Sequence, residues 1–408
     1  MAHTRKRQLD ELFSKLMGFS PMVGVFGHRQ VGKSTYLAQK IPHYLTLDDE
    51  DTLKSLRAGP SKFLGELSPL PVAIDECQIE PRLFPALKEW IRTHKKPGQF
   101  ILSGSVRFTS RRAIRESLAG RITSIELLPL VLSELNETPL PDILPRLIAH
   151  REFNEQTLSE LPPLSELRQK QPTFERYLDQ GGLPGLCFVR SPRIRSELLN
   201  ELHRLILDRD LRMIHETRLS LELMQRYLQE IATLAARDWA TYDATAIRRK
   251  LGLAPVTQKA LLHALESTYM IRRIPMQGRA GELILFEDQL EENILNLSKT
   301  AAPFKMLGAF YRNARAQFTY RLGESIQVFS HWTRGGARVP LCISNPRGTL
   351  GFIPLAAEQD KPSLSQSRSA DSFLRHYPEA KVIYLRPDRS TPRVFDPRSL
   401  TCSVTALI

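Results

Sequence analysis

Met22-Val23-Gly24-Val25-Phe26 runs directly into Gly27-His28-Arg29-Gln30-Val31-Gly32-Lys33-Ser34, and that into Thr35-Tyr36-Leu37-Ala38-Gln39-Lys40. The first stretch is short, apolar and β-prone, and the last reads as the opening turns of a helix. The eight residues between them match the phosphate-binding pattern G-x-x-x-x-G-K-[ST]. Strand, glycine loop and helix is the context that makes the pattern a site. Glycines let backbone N–H groups curl around a phosphate, and the helix N-terminus adds partial positive charge. Lys33 is placed to reach the outer phosphate oxygens and Ser34 to ligate Mg²⁺. The sequence predicts a nucleoside triphosphate site formed by Gly27, His28, Arg29, Gln30, Val31, Gly32, Lys33, Ser34 and Thr35.

Working outward, Pro71-Val72-Ala73-Ile74-Asp75-Glu76 is an apolar strand that ends in two acids, with Asp75 lying 42 residues after Lys33. Asp75 is expected in the Mg²⁺ shell, and Glu76 as the group that orients or deprotonates the attacking water. Capping of the next helix by Asp75 is the plainer alternative. His43-Tyr44-Leu45-Thr46-Leu47 reads as a strand running into Asp48-Asp49-Glu50-Asp51, acids expected to cap a helix. A further strand, Gln99-Phe100-Ile101-Leu102-Ser103, places Ser103 or Ser105 where a polar group senses the γ-phosphate, a plain turn being the alternative. Residues 121–127 supply a fifth strand. Strands alternating with helical stretches predict an α/β parallel sheet.

The strings GHRQVGKST, LTLDDED, VAIDECQIEPRLFPALKEWI, GQFILSGS and ESLAGRITSIELLPLVLSEL follow in order through residues 1–135. Together they resemble a prokaryotic family of AAA-type P-loop ATPases. In that family a winged-helix region and a C-terminal domain similar to restriction nucleases follow the ATPase domain. The resemblance implies that Lys33, Ser34, Asp75 and Glu76 form the nucleotide site, that ATP and Mg²⁺ are the cofactors, and that the chain works as a homo-oligomer. It also makes Arg121, in ESLAGR, a candidate for stabilising γ-phosphate charge, in cis or from a neighbouring subunit. Pairing with Glu116 or Glu126 is the alternative for that arginine.

The expected organisation is an ATPase domain over 1–135, a helical connector or lid over 136–220, a winged-helix-like domain over 221–300 and a small α/β nuclease-like domain over 301–408. Six prolines between 139 and 172 mark the connector. Gly181-Gly182-Leu183-Pro184 reads as a tight turn, not a second phosphate loop. Helices over 221–236, 244–251 and 255–269 and a following strand have the plan of a winged helix. In a DNA reader, Thr257, Gln258, Lys259 and His263 would face the groove, and Arg248, Arg249, Arg272, Arg273 and Arg279 the phosphates. Further on, 318–322 and 326–332 read as strands, followed by three more after residue 338. Where the resemblance asks for a nuclease metal site, Pro340 replaces the aspartate and Ala356 and Glu358 stand at the acid and lysine positions. Nuclease activity is therefore not expected.

Composition fits a globular chain of several domains. No run approaches the roughly 18 apolar residues of a membrane span. The N-terminus lacks the apolar segment of a signal peptide. Cys77, Cys187, Cys342 and Cys402 are scattered, which predicts neither a zinc site nor a disulfide framework and fits a reducing, cytoplasmic setting. A formal charge of +13 and the cluster Arg107, Arg111, Arg112, Arg115 and Arg121 leave nucleic acid open as a partner. Two functional classes stand: an ATPase whose hydrolysis moves the later domains, or a slow, nucleotide-gated binding or regulatory module, in one form DNA-associated.

Overall fold

The computed structural model describes residues 5–107, 118–235, 242–295, 302–321, 326–388 and 391–408. Of the arginine cluster, Arg111, Arg112 and Arg115 lie outside the described residues. The first layer is a five-stranded parallel sheet of β1 (Met22–Phe26), β2 (His43–Thr46), β3 (Val72–Asp75), β4 (Phe100–Gly104) and β5 (Ile122–Glu126), in the order β2-β3-β4-β1-β5. β1, β3 and β4 are buried along their whole length. That is why they read as unbroken apolar runs and not as alternating ones. Their register aligns the carboxyl ends, with Val25 opposite Ser103 and Thr46 opposite Asp75. In open α/β sheets the crevice beyond those ends is where ligands bind. The fold is a P-loop AAA-type sheet followed by a helical region and a C-terminal mixed sheet.

Helices fill most of residues 132–267, ending in the succession Leu221–Ala235, Ala244–Leu251 and Pro255–Ser267. The second closes on Gly252 in the left-handed conformation, φ 65°. A hairpin of β6 (Ile271–Gln277) and β7 (Glu282–Phe286) follows. β6 then joins β8 (Gln327–Trp332), so the hairpin forms one edge of an eight-stranded sheet. The rest of that sheet is β9 (Arg338–Asn345), β10 (Gly348–Pro354), β11 (Ala380–Arg386), β12 (Arg393–Asp396) and β13 (Ser399–Ser403), in the order β12-β13-β11-β10-β9-β8-β6-β7. All four cysteines are buried and unbridged. No helix among the described residues is long and apolar enough to cross a membrane.

One expected strand is absent. Residues 318–321 end the helix Ala302–Arg321 instead. Phe310, Ala314 and Phe318, spaced four apart, pack into the core of the eight-stranded sheet, where Phe310 lies 4.7 Å from Phe352. Ala316 and Tyr320 pack into the five-stranded sheet's core beside Val25 and Leu127. A helix buried on two faces needs aromatic residues all round, and locally such a run imitates a strand.

Beside this helix sits a buried ion network. Arg315 pairs with Glu287 (2.6 Å) and with Glu126. Arg272 pairs with Glu126 (3.0 Å) and Glu287 (2.9 Å), and Arg107 reaches the same two acids at 3.4 and 3.1 Å. The network joins the end of β5, the hairpin and the long helix. It corrects the expectation for the hairpin arginines: Arg272 is turned inward, and Arg273 pairs with Glu282 at 2.7 Å. Gln258 is likewise buried, donating to Tyr242 Oη and Ala244 O. Arg272 and Gln258 are therefore turned away from the surface that the pattern suggested for them, whereas Arg273 stays exposed.

Candidate functional site: the phosphate loop and its acids

The loop's shape follows from close approaches. A Cβ at Gly27 would lie 2.3 Å from Leu127 O, so the chain leaving β1 tolerates no side chain there. Gln30 and Gly32 are left-handed, with φ 61° and 94°. Gly32 then caps the helix Lys33–Lys40. Lys33 is buried and donates to Gly27 O (3.0 Å) and His28 O (2.9 Å), folding its ammonium back over the loop. Burial lowers its pKa, against the opposing pull of Glu76 and Asp75. Ser34 and Thr35 are exposed at the helix start.

Asp75 is ringed by donors. Its Oδ2 accepts from Ser34 Oγ at 2.5 Å and Tyr44 Oη at 2.6 Å, and its Oδ1 from Ser103 Oγ and from the Glu76 N–H at 2.9 Å. Burial acts to raise its pKa, but the hydroxyls of Ser103, Ser34 and Tyr44 outweigh it and hold the carboxylate ionised. Glu76, left-handed at φ 52°, behaves oppositely. Burial, with Asp75 alongside and against the pull of Lys33, raises its pKa and makes it the more basic of the two. Gln78 Nε2 donates to the Glu76 carboxylate. Two adjacent acids are thereby given different chemistry: one a fixed anion among hydroxyls, the other a proton acceptor.

The side chains of the variable loop residues find partners outside the loop, though the Arg29 charge still acts on Glu76 and Lys33. His28 Nε2 meets Glu291 Oε1 at 3.1 Å, and His203 Nε2 meets the same oxygen at 3.1 Å. Arg29 is clamped on Asp210. A Cβ at Gly185 would stand 3.3 Å from Gln30 Oε1. Val31 O accepts from Arg7 at 2.9 Å. The side chains of His28 and Arg29 are thus tied to Glu291 and Asp210, residues far along the chain, while Lys33 and Ser34 stay beside the acids at the end of β3.

The structure brings Lys33, Ser34, Asp75, Glu76 and Ser103 together, and it separates Arg121 from them. Arg121 directly precedes Ile122, which pairs with Met22 at the start of β1, whereas the loop begins beyond Phe26 at its end. Five strand residues at about 3.3 Å each make roughly 16 Å, beyond an arginine's reach. Arg121 donates to Ala119 O at 3.3 Å. The expectation of a cis role for Arg121 is therefore corrected, and so is its pairing with Glu126, whose partners are Arg107, Arg272 and Arg315; the other alternative partner, Glu116, lies outside the described residues. The cation the sequence reading left without a role is Arg209. It bonds Asp48 at 2.6 Å, and burial, acting to lower its pKa, is overcome by Asp48, Asp210 and Glu76. It sits in a π-turn, Ile206–Asp210, a distortion that recurs at functional sites. The helix around Leu202 to Ile214, with Arg209 and Asp210, resembles the family pattern in sequence, but that Arg209, Asp210, Tyr44 and Glu291 meet the loop and its acids follows only from folding. Asp49 does cap a helix, accepting from Thr52 N at 2.8 Å.

The model of a family described as an AAA domain matches residues 20–136. Uncharacterized proteins of Mycobacterium tuberculosis and Mycobacterium bovis are each 34% identical over 122 residues, 29% of this chain and 27% of theirs. The chain thus spans about a quarter of the length of the curated relatives it matches. Among solved structures, a STAND protein with a tetratricopeptide repeat sensor from Pyrococcus horikoshii aligns at TM-score 0.29 and 13% identity, over 79% of this chain and 48% of that one. AMPPCP-bound DnaA from Aquifex aeolicus aligns at TM-score 0.23 and 11% identity, over 64% and 85%. The family match and the loop built at the end of β1 agree: residues 20–136 carry an AAA domain of the P-loop, nucleotide-binding type.

Proposed function

We propose that this chain is a Mg²⁺-dependent ATPase of the AAA type that works as a homo-oligomer and uses hydrolysis to move its helical and C-terminal regions. One observation carries the reading. Ser34 Oγ lies 2.5 Å from Asp75 Oδ2, and the next residue is a half-buried carboxylate of raised pKa. A serine hydroxyl and an ionised aspartate are hard oxygen donors of the kind Mg²⁺ takes. Ser34 and Asp75 would hold the ion, which when bound neutralises charge on the phosphate oxygens. Lys33 and the loop N–H groups bind the phosphates, and Glu76 accepts the proton of the attacking water. Ser103 keeps Asp75 oriented. Arg29 and Arg209 are the arginines this chain offers to its own site, and Arg121 is left to a neighbour's. Ile194, Leu198 and Leu205, exposed along one stripe of the helix Pro192–Leu205, support association between copies.

Movement follows from the loop's ties. Any shift of His28 or Arg29 on turnover pulls on Glu291 and Asp210, and through them on the helical region. Residues 221–300 form the winged-helix-like body, and 301–408 a nuclease-like scaffold without nuclease chemistry: Pro340 lies within β9 and Glu358 is exposed beyond β10. The test is steady-state ATP hydrolysis with and without Mg²⁺ and duplex DNA, with Glu76→Gln as control. Turnover that requires Mg²⁺ and collapses in the variant is expected. Equal phosphate release from both proteins would overturn the reading.

A further inference from the structure

A second basic cavity lies apart from the phosphate loop. Its volume is about 430 Å³, and no residue of 27–35 lines it. Four chain segments build it, one of them contributing Leu135. Arg176 and Tyr177 come from the helix Leu164–Gln180, Cys187, Phe188 and Arg190 follow the glycine turn, and Arg5 comes from the N-terminal segment. The lining holds three guanidinium groups and no carboxylate. Arg5 has an exposed partner in Glu137 at 2.8 Å, yet its Nε is buried without a hydrogen-bond acceptor. Arg176 and Arg190 form no ion pair among the described residues. Arg5 also stands over the Phe188 ring, 5.3 Å from its centroid.

Like charges gathered around one cavity repel each other, and a bound anion removes that cost. Guanidinium forks suit the paired oxygens of phosphate or carboxylate better than a spherical ion. The walls between them are apolar or aromatic: Leu135, Tyr177 and Phe188. The size lies within the range of about 300–1,000 Å³ usual for small-ligand pockets. We propose that this cavity binds a small organic phosphate of nucleoside monophosphate size, its anionic group held by Arg176 and Arg190 and its flat portion laid against Phe188. The cavity shares the turn 181–185 with the phosphate loop. Gly181 lines the cavity, and Pro184 Cγ lies 3.8 Å from where a Cβ of Gly32 would stand. Arg7, two residues from Arg5, holds Val31 O. A ligand here therefore stiffens structure that the loop rests on, while the cavity itself needs no ATPase activity to exist.

The test is thermal unfolding of the full chain at low salt with AMP or with inorganic pyrophosphate. The proteins compared are the natural chain, Lys33→Ala, and Arg176→Ala/Arg190→Ala, both of whose sites are exposed. AMP in hundredfold excess over its dissociation constant is expected to raise Tm by roughly 2–4 °C in the natural chain and in Lys33→Ala alike, and to do nothing in the double variant. Pyrophosphate is expected to give a smaller shift. Loss of the AMP shift in Lys33→Ala, its persistence in the double variant, or no shift in any protein would overturn the proposal. A pyrophosphate shift as large as that of AMP would overturn the seat of the flat portion on Phe188. ATP binding by the natural chain reports on the phosphate loop, so its failure, with the AMP shift intact in Lys33→Ala, counts against the ATPase reading and not against this cavity.

Discussion

Arg29 Nη1 donates to both carboxylate oxygens of Asp210, at 3.0 and 2.9 Å, across 181 residues of sequence. The acid is buried and the arginine nearly so. Removing one partner strands the other away from water. Asp210→Ala is expected to cost about 3 kcal/mol of stability, the usual price of breaking a buried pair from one side. Denaturant unfolding of the variant checks this, and a change under about 1 kcal/mol would show that the clamp is not what holds the loop to the helical region.

Glu76→Gln keeps the size of the side chain and removes its basicity. Turnover is expected to fall by about 10²–10⁴-fold, the range for loss of a general base. ATP affinity, measured by calorimetry, should stay within a few-fold, since Lys33 and the loop N–H groups make the phosphate contacts.

The His28–Glu291 contact sets a pH dependence. Burial acts to lower the His28 pKa, but Glu291 outweighs it and the result is raised above 6.5. The stability this gives is fully present below about pH 6.5 and is lost as pH rises through the higher folded value. Asp288, pushed up to about 6 by burial, works in the same direction, since the folded protein loses stability as that group ionises. Glu291 acts on the acid side: held down to about 2 despite its burial by His28 and His203, it contributes stability that is lost as pH falls from 4.5 toward 2. Tm is therefore expected to decline from pH 6 to 9. His28→Gln should be less stable at pH 6 and show a shallower decline, and parallel curves would refute the assignment.

Gly182 has no room for a side chain. Its Cβ would lie 2.2 Å from Leu130 O, while its own N–H donates to Asp288 and its C=O accepts from Leu130 N, each at 2.7 Å. Gly182→Ala is expected to destabilise by about 3 kcal/mol through forced backbone movement. Gly120→Ala offers a contrast with no steric neighbour within 4 Å, only the strain of φ 71°. Thermal unfolding of the pair separates collision from backbone strain.

Much of the site was legible because it is local. A phosphate loop needs its glycines, lysine and serine within eight residues, and Asp75 and Glu76 must follow a strand, so periodicity and spacing announced them. Helix Ala244–Leu251 was equally plain from its glycine stop. The helix Ala302–Arg321 was misread at its end because burial on two faces erased the amphipathic pattern that identifies a helix. Arg272 read as a surface cation because a sequence records charge and not which acids, here Glu126 and Glu287, the fold brings against it.

Sequence by itself determined the strand, loop, helix and acidic pair, whose chemistry depends on neighbours a few residues away. Only the tertiary structure decided that Arg121 lies at the wrong end of the sheet for its own site, that Arg209 approaches Glu76, and that the side chains of His28 and Arg29 meet Glu291 and Asp210. The physical reason is the parallel sheet. It gathers the carboxyl ends of strands that are distant in sequence and sends their amino ends some 16 Å away, so a residue's place along its strand outweighs its nearness to a motif.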